Sequence, residues 1–400
     1  MKLALHGGSK VVKTSPRIFS WIENSDLDEI IEMVSSQKLS GFLAQSGDSY
    51  LGGINVKALE SEICRNYGAG YSITFNSWTS GLEAIFIALD LEQGSEVIVT
   101  PWTMSGTVAA IVLAGYVPVF SDIDPNTFNL DVNRIRAVIT SKTRAICAVD
   151  IFGLPANWPE LRNIADEYNL KLVADSAQSP SATVDGKPPF SFADAGGYSF
   201  NRHKHIQTGE GGIAVTNSKV LADRMKAIRN HGEVAAQEIT LSNSVLIGHN
   251  WRLGEFEALL ARKQLQRFDH LIKSRQNAAL KLIEKLRKLA GIYIPDTAQN
   301  YTHDYYILGM HMDSNVAGFS RDFAVSALRA EGVDFVIGRY CELHRLPVYS
   351  KYRSEDLRAT NQLNDEKFLG LYLCGYDFDD QLINETIEAF EKVWASPVSE

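Results

Sequence analysis

One lysine lies in a segment that suits covalent chemistry with an aldehyde. Lys204 follows a strand-like run, residues 195–200, that also carries Ser199. The sequence Gly-Glu-Gly-Gly comes next, at residues 209–212, and a second strand-like run resumes at residues 213–216. A lysine on a short turn between two buried strands is costly to desolvate unless its amine has a use. Formation of a Schiff base, in which an amine meets an aldehyde in a dry pocket, is such a use.

Two other segments carry groups that would complement this amine. The sequence Asn-Ser-Trp-Thr-Ser-Gly, residues 76–81, places Thr79 and Ser80 where a helix is predicted to begin. Hydroxyl and free N–H groups at a helix N-terminus bind phosphate. Asp175 ends a buried strand-like run, from which its carboxylate is placed to reach a ring nitrogen. These are the requirements of pyridoxal phosphate, whose ring accepts electrons when a carboxylate keeps the pyridine nitrogen protonated.

Each of these residues also has a purely structural interpretation. Taken alone, Asp175 would cap a turn and Lys204 would be a surface lysine. Thr79 and Ser80 would cap a helix, which is compatible with phosphate binding. His203 and His205 flank the lysine, but no cysteine or carboxylate at short spacing completes a metal-ligand set. We therefore expect no metal site, and we expect both histidines at the mouth of a pocket or in solvent.

Alternating helical and strand-like patterns position these groups. Helices are predicted at residues 27–36, 56–67, 79–91, 105–114, 132–140 and 158–168, and short apolar strands at residues 96–100, 117–121, 144–149 and 170–175. Continuous apolar strands with helical crossovers favour a mostly parallel sheet that is covered on both faces. Ligands of such sheets bind at the carboxyl ends of the strands. The loops that begin at Asn76, Pro101 and Asp175 should therefore converge on one site.

The pattern changes towards the C-terminus. Residues 1–25 are predicted to form an arm, and residues 26–255 a large cofactor-binding domain. A nearly continuous helix, residues 256–289, should link this domain to a smaller α+β domain, so that the linking helix and small domain together span residues 256–400. The small domain is predicted to contain strands at residues 292–294, 305–312 and 333–337, and helices at residues 321–331 and 381–393.

Bulk composition narrows the class of protein. The 400 residues carry a net charge of −9 and are 45% hydrophobic and 22% charged. This composition is typical of a globular protein, and the length favours more than one core. The acidic balance, without a long basic run, disfavours nucleic acid as the main partner. Four scattered cysteines favour free thiols over disulfides or zinc, and we expect a cytoplasmic protein without a signal peptide or membrane span.

Taken together, the motifs resemble those of the DegT/DnrJ/EryC1/StrS family of pyridoxal-phosphate-dependent sugar aminotransferases. The resemblance covers almost the whole chain and depends on the segments 76–82 (Asn-Ser-Trp-Thr-Ser-Gly-Leu), 100–103 (Thr-Pro-Trp-Thr), 122–125 (Asp-Ile-Asp-Pro), 152–155 (Phe-Gly-Leu-Pro), 175–178 (Asp-Ser-Ala-Gln), 199–200 (Ser-Phe), 204 (Lys), 209–212 (Gly-Glu-Gly-Gly), 230–232 (Asn-His-Gly) and 248–252 (Gly-His-Asn-Trp-Arg). Each motif alone is weak, whereas their order and spacing together are specific. The resemblance implies the α/β type I aminotransferase fold, with a mostly parallel sheet of seven strands covered by helices.

The resemblance also implies roles for individual residues. Lys204 would hold pyridoxal phosphate as a Schiff base (an internal aldimine) and move the proton between substrate and cofactor. Asp175 would pair with the pyridine nitrogen, and Gln178 would approach the ring face or the phenolic oxygen. The phosphate would be bound by Thr79, Ser80 and Ser199. Asn250 resembles the asparagine that reaches the cofactor phosphate of the neighbouring subunit, which implies a homodimer with shared active sites.

Three positions depart from the family's pattern. Trp78 stands where the family has a glycine before the phosphate-binding threonine, so this turn is expected to be tighter or redirected. Pro101 stands one position later than the usual proline, and Met104 takes the place of the aromatic residue that stacks on the ring. A thioether can cover a ring, and Trp102 is the alternative for this role. Asp150 replaces a frequent histidine, and we assign it no role.

The implied activity is transfer of an amino group from an amino acid, usually glutamate or glutamine, to a keto-sugar that is most often nucleotide-linked. The N-terminal sequence Leu-Ala-Leu-His-Gly-Gly, residues 3–8, resembles the arm of members that act on ketocyclitols or make aminohydroxybenzoate. A pyridoxamine-dependent sugar dehydratase, which would carry histidine in place of Lys204, is a further alternative. So is a regulatory protein that binds the cofactor without turnover. The loops expected to face the substrate are residues 41–53, 233–247 and 340–352.

Overall fold

The structure, a computed structural model, describes residues 2–18, 21–43, 47–233 and 246–396. Two of the expected substrate loops, residues 41–53 and 233–247, lie partly outside these segments. The strands are β1 (Arg17–Ile18), β2 (Tyr71–Phe75), β3 (Glu96–Val99), β4 (Val117–Phe120), β5 (Thr143–Val149), β6 (Lys171–Asp175), β7 (Ala195–Ser199), β8 (Gly212–Thr216), β9 (Ile292–Tyr293), β10 (Ile307–Met312), β11 (Val336–Ile337), β12 (Phe368–Tyr372) and β13 (Tyr376–Asp377).

Helices account for most of the remaining described chain. They are α1 (Leu27–Ser36), α2 (Ile54–Tyr67), α3 (Trp78–Leu89), α4 (Ser105–Leu113), α5 (Val132–Val138), α6 (Trp158–Glu167), α7 (Lys219–Arg229), α8 (Glu255–Leu265), α9 (Phe268–Leu286), α10 (Ser314–Ala317), α11 (Arg321–Ala330), α12 (Arg358–Gln362) and α13 (Asp380–Trp394). Across the described part of the chain, every helix is too short or too polar to cross a membrane.

Seven strands form the central sheet in the order β2-β8-β7-β6-β5-β3-β4. Strands β7, β6, β5, β3 and β4 run parallel to one another. Strand β8 is antiparallel to its two neighbours, β7 and β2. Successive residues of β5 alternate between two apolar cores: Ala145 and Cys147 pack on one face of the sheet, and Ile146 and Ala148 pack on the other. Helices cover both faces, which explains the continuous apolar strands. The predicted mostly parallel sheet of seven strands is confirmed.

The carboxyl ends of β2, β3, β6 and β7 lie on one edge of this sheet. β2 is antiparallel to β8, and β8 is antiparallel to β7, so β2 points in the same direction as the parallel strands. Asn76 follows β2, Asp175 ends β6, and the turn that contains Lys204 follows β7. The connectivity therefore brings these three segments to a common edge.

A second sheet lies in the C-terminal part of the chain, with the order β11-β12-β10-β9 and antiparallel pairing throughout. Its strand β12 was not predicted, because a five-residue run interrupted by Gly370 has too little pattern to identify. The N-terminal segment packs against this part of the protein. Leu3 and Val12 are buried in its core, and the carboxylate of Glu331 accepts hydrogen bonds from the N–H groups of Ala4 and Val11 at 2.7 and 3.1 Å.

Most of the predicted nearly continuous helix over residues 256–289 is present, but it has one interruption and ends at Leu286. The helix is divided into α8 and α9 by a turn at Gln266 and Arg267. The guanidinium group of Arg267 donates to the Asp26 carboxylate at 3.0 Å and to the Trp21 carbonyl at 2.9 Å. These bonds tie the turn to the N-terminal segment, a tertiary contact that the helical pattern of the sequence does not contain.

Candidate active site

A cavity of about 250 Å³ lies at the shared edge of the sheet. The residues around it include Thr79, Met104, Asp175, Gln178, Ser199 and Lys204. The structure therefore brings together six of the eight residues that the sequence singled out. The other two, Ser80 and Asn250, are not among the lining residues.

The Lys204 side chain reaches the cavity from the turn after β7. The turn is held by hydrogen bonds from the Lys204 N–H to the Asn201 carbonyl at 2.8 Å and from the Thr208 N–H to the Phe200 carbonyl at 2.9 Å. The amine nitrogen lies 4.8 Å from the centre of the Tyr306 ring. Burial lowers the pKa of the Lys204 amine, and the negative charge of Asp175 opposes this effect. An amine with a lowered pKa is a better nucleophile and base near neutral pH than a solvated lysine.

The lowered pKa has a measurable consequence. In the cofactor-free protein, we expect Lys204 to react with acetic anhydride with a pH midpoint below the ordinary lysine value of 10.5, because only the neutral amine is nucleophilic. Competitive labelling followed by peptide mass spectrometry gives this midpoint, with the exposed lysines of the same protein as internal references. A midpoint for Lys204 at or above those of the exposed lysines would contradict the burial of its amine.

Asp175 is held by donors on both carboxylate oxygens. The side chain is 4% exposed. The indole N–H of Trp78 donates to Oδ1 at 2.7 Å, and the hydroxyl of Thr107 donates to Oδ2 at 2.7 Å. A buried anion requires such donors, and they also fix the orientation of the carboxylate. Trp78 opens α3 after the Ser77 cap, and its side chain is buried.

The first turn of α3 and Ser199 form a polar wall of the cavity. Thr79 and Ser199 both line it, and the N–H groups of Trp78 and Thr79 lie where a helix has no internal acceptor. Ser80 has a different local role, because its N–H donates to the Ser77 hydroxyl at 3.1 Å and its hydroxyl lies 2.8 Å from the same oxygen. The wall therefore offers hydroxyl and N–H donors of the kind that bind phosphate.

Met104, rather than Trp102, lines the cavity. The Met104 side chain is 57% exposed, and its sulfur accepts the Gly106 N–H at 2.9 Å. Trp102 is fully buried, and its ring packs 5.4 Å from that of Phe368 and 5.9 Å from that of Tyr340. The alternative in which Trp102 covers a ring in the cavity is wrong, since its indole is part of the aromatic core behind the site.

Gln178 connects the cavity to the C-terminal part of the chain. Its Oε1 accepts the Phe152 N–H at 2.7 Å, and its Nε2 donates to the Tyr340 hydroxyl at 3.0 Å. Tyr306 and Tyr340 also line the cavity. Neither tyrosine is among the site residues that the sequence patterns indicate, although Tyr340 begins one of the expected substrate loops. Their position depends on how the two sheets pack together, which local patterns do not reveal.

The two histidines beside Lys204 have different environments. His203 is exposed and lines the cavity. His205 is fully buried, with Nδ1 2.5 Å from a guanidinium nitrogen of Arg275, and the expectation that it lies at the mouth of a pocket or in solvent is wrong. Burial and the Arg275 charge lower the pKa of His205 well below its ordinary value, so Nδ1 accepts from the arginine. Among the described residues, no three His, Cys, Asp or Glu side chains are arranged to hold a metal ion.

Asp150 stabilises two loops beside the site. It accepts hydrogen bonds from the Ala156 N–H, the Trp158 indole, and the hydroxyls of Ser176 and Ser179, at 2.6 to 3.0 Å. Burial raises the pKa of Asp150 to about 7, and the four donors oppose this effect. Its bonds to Ser176 and Ser179 hold the loop that begins directly after Asp175.

Asn250 lies outside the cavity on the protein surface. Its side-chain oxygen accepts from the Arg252 guanidinium at 2.8 Å, and its backbone pairs with Asn230. The Asn250 carbonyl accepts from the Asn76 side chain at 3.5 Å. The residue is therefore next to the segment that opens α3, but it is exposed in the single chain.

A lysine amine and a buried carboxylate in one cavity, at the carboxyl edge of a mostly parallel sheet of seven strands, are features of the type I aminotransferase class. A model of the DegT/DnrJ/EryC1/StrS aminotransferase family matches residues 33–371. The chain belongs to this family and is an aminotransferase. The predictions of family, fold class and enzyme class are confirmed.

Relatives extend the similarity over nearly the whole chain. The UDP-N-acetyl-3-dehydro-alpha-D-glucosamine 3-aminotransferase of Acidithiobacillus ferrooxidans is 31% identical over 71% of this chain and 74% of its own length. A putative L-glutamine:3-amino-2,3-dideoxy-scyllo-inosose aminotransferase of Streptomyces kanamyceticus is 30% identical over 98% of this chain and 91% of its own. The solved structure of DesI in the presence of its TDP-sugar product has a TM-score of 0.83 and 26% identity, and the match covers 98% of this chain and 96% of that chain.

Proposed function

We propose that this aminotransferase moves an amino group from glutamate or glutamine to a nucleotide-linked keto-sugar, with pyridoxal phosphate bound in the cavity. The proposal depends mainly on one observation, that Lys204 and Asp175 line the same cavity. The amine of Lys204 has a pKa lowered by burial, and the carboxylate of Asp175 accepts hydrogen bonds from two side-chain donors. The relative from Acidithiobacillus ferrooxidans, named for a UDP-linked keto-sugar, supports the choice of substrate class.

The lining residues match the functional groups of this cofactor. Thr79, Ser199 and the N-terminus of α3 offer donors for a phosphate. Lys204 offers an amine for an aldehyde carbon, and Asp175 an acceptor for a protonated ring nitrogen. Gln178 would contact the ring face or the phenolic oxygen, and Met104 would cover the ring. When bound, the cofactor supplies an electron sink for the negative charge that develops at the substrate carbon.

Lys204 would also act in proton transfer. The Lys204 amine would take the proton from the donor's α-carbon at Nζ, and the lowered pKa suits that role. The Tyr306 ring, 4.8 Å from Nζ, would exclude water from the amine. Retention of a lysine at this position disfavours the dehydratase alternative, which would carry histidine there.

A ketocyclitol is the second candidate for the acceptor. The relative from Streptomyces kanamyceticus, named for an amino-inosose substrate, matches 98% of this chain. The resemblance of residues 3–8 to the arm of ketocyclitol-specific members points to the same class. Both acceptors are polyhydroxylated cyclic ketones, so the chemistry required of Lys204 is the same in the two reactions.

Paired assays distinguish these functions. The protein loaded with pyridoxal phosphate is mixed with glutamate or glutamine in a stopped-flow spectrometer, and the keto acid released is measured. UDP- and TDP-linked keto-sugars and keto-inositols are then supplied, and aminated products are identified by mass spectrometry. Absence of any cofactor spectral change with every amino donor would refute the transaminase proposal. If only keto-inositols are aminated, the acceptor is a ketocyclitol and not a nucleotide-linked keto-sugar.

We further propose that the active enzyme is a homodimer in which Asn250 reaches the neighbouring subunit's cofactor phosphate. Exposed apolar side chains on and near α1 and α2 support an interface, among them Ile31, Leu39 and Ile54 at 61%, 53% and 81% exposure. Lys204→Ala and Asn250→Ala chains should each be impaired alone, yet a mixture should regain up to about a quarter of wild-type activity, because one site per mixed dimer is intact. Mixed dimers without regained activity would exclude a shared site.

A further inference from the structure

The tryptophan that replaces the family's glycine makes a direct contact with the site. The indole nitrogen of Trp78 lies 2.7 Å from Asp175 Oδ1, and the Ala177 N–H lies 3.3 Å from the same oxygen. Both groups donate only, so Oδ1 is fixed as an acceptor. The indole N–H is neutral, and it therefore orients the carboxylate without adding a positive charge that would compete with a cationic partner.

The second oxygen of Asp175 is held by a short chain of hydroxyl groups. Thr107 donates its single hydroxyl hydrogen to Oδ2 at 2.7 Å. The Thr103 hydroxyl, 3.1 Å from that of Thr107, must then act as the donor in their contact. With one strong donor on each oxygen, rotation of the carboxylate would break at least one charge-assisted hydrogen bond.

The protein is built around the Trp78 side chain. A Cβ added to Gly197 of β7 would lie 2.4 Å from indole Cζ3, and one added to Gly81 would lie 3.1 Å from Cε3. A Cβ added to Gly212 of β8 would lie 2.5 Å from the Trp78 Cα atom. Carbon atoms do not approach so closely at ordinary contact distances. Gly197 and Gly81 therefore leave space for the indole that reaches Asp175, and Gly212 lets β8 pass close to the backbone of Trp78.

We propose that Trp78 is a positioning residue that fixes the Asp175 carboxylate for hydrogen bonding to the cofactor's ring nitrogen. The inference rests on the proposed function, because the ring nitrogen is the partner for which this orientation matters. A carboxylate free to rotate would present its lone pairs to the ring nitrogen only part of the time. Loss of the indole N–H should therefore weaken cofactor binding and reduce protonation of the ring nitrogen.

The chain contains a matched control for this test. Trp158 is the first residue of α6, as Trp78 is of α3, and its indole also donates to a buried aspartate at 2.7 Å, namely Asp150. Trp158 does not line the cavity. The Trp78→Phe and Trp158→Phe variants therefore remove the same group from the same kind of contact, and only the first removes a hydrogen bond to the Asp175 carboxylate.

The experiment measures cofactor binding and the state of the ring nitrogen. Cofactor-free wild type and both variants are titrated with pyridoxal phosphate, and the nuclear magnetic resonance signal of an isotopically labelled pyridine nitrogen is recorded. Trp78→Phe is expected to raise the dissociation constant roughly tenfold, as for loss of one hydrogen bond to a charged group, and to shift the nitrogen signal towards that of neutral pyridine. Trp158→Phe is expected to change neither quantity, although both variants lower thermal stability.

Equal dissociation constants and equal nitrogen signals in Trp78→Phe and Trp158→Phe would overturn the proposal. If Trp78→Phe does not fold, benzothienylalanine at position 78, which has the shape of tryptophan without the N–H, is measured with the same criteria. Failure of the wild type to bind pyridoxal phosphate would instead refute the proposed function. A wild type that binds and transaminates, with no effect of removing the Trp78 N–H, would refute only the role of Trp78.

Discussion

Replacement of Lys204 by alanine is expected to lower the rate of transamination by at least about 10³-fold, because the variant loses both the covalent attachment point and the general base. The fold should persist, since the structure holds the Lys204 turn through backbone hydrogen bonds rather than through its amine. Steady-state assays with glutamate and the best acceptor measure the loss, and circular dichroism checks the fold.

Two further variants make this result specific. Lys204→Arg keeps a positive charge of similar reach, but a guanidinium group stays protonated and therefore cannot act as a nucleophile or base. The rate of this variant should fall as much as that of Lys204→Ala. Lys142→Ala changes an exposed lysine and should leave the rate unaltered. Substantial turnover by Lys204→Arg would show that the charge of Lys204, and not its amine chemistry, is what the reaction requires.

The Asp175→Asn variant is expected to lower the rate of the amino-donor half-reaction by roughly 10²- to 10³-fold, the range for loss of a preorganised electrostatic partner. Trp78 and Thr107 both donate to Asp175, and an amide has only one oxygen to receive them. The NH₂ group can face Thr107 only if that hydroxyl turns to accept, and the negative charge opposite the ring nitrogen is lost in either orientation. Single-turnover spectra of the loaded variant with glutamate measure the rate.

Asp150→Asn is the matched control for Asp175→Asn. Asp150 is also a buried carboxyl that accepts from an indole N–H, but it does not line the cavity. We expect this variant to lose stability in urea titrations and to retain most of the half-reaction rate once folded. A smaller rate loss in Asp175→Asn than in Asp150→Asn would contradict the assignment of Asp175 as the partner of the ring.

Local sequence patterns were sufficient to predict the large sheet and many of the residues that line the cavity. The predicted helix over residues 27–36 has the bounds of α1, and the predicted strand ends place Asp175 and Asn76 at the shared edge. These successes have one cause: buried parallel strands are continuous apolar runs, and topology then dictates which ends meet. Thr79, Ser199 and Lys204 lie at such ends, which is why the sequence already grouped them.

Other features depend on tertiary contacts and were not predictable in the same way. The buried position of His205 follows from Arg275, which lies seventy residues further along the chain and needs an acceptor. Trp102 was a plausible cover for the ring by motif alone, yet it packs with Phe368 of the unpredicted strand β12. Trp78 was recognised only as a departure from the family's glycine, whereas its bond to Asp175 depends on space left by Gly197.

The most direct test of the central claim is the identity of the residue that binds the cofactor covalently. The protein is loaded with pyridoxal phosphate, reduced with borohydride to make the bond permanent, digested and mapped by mass spectrometry. The proposed function predicts that the modified peptide contains Lys204, and that the Lys204→Ala variant yields no modified peptide. Modification of a different lysine, or unchanged modification in Lys204→Ala, would contradict it.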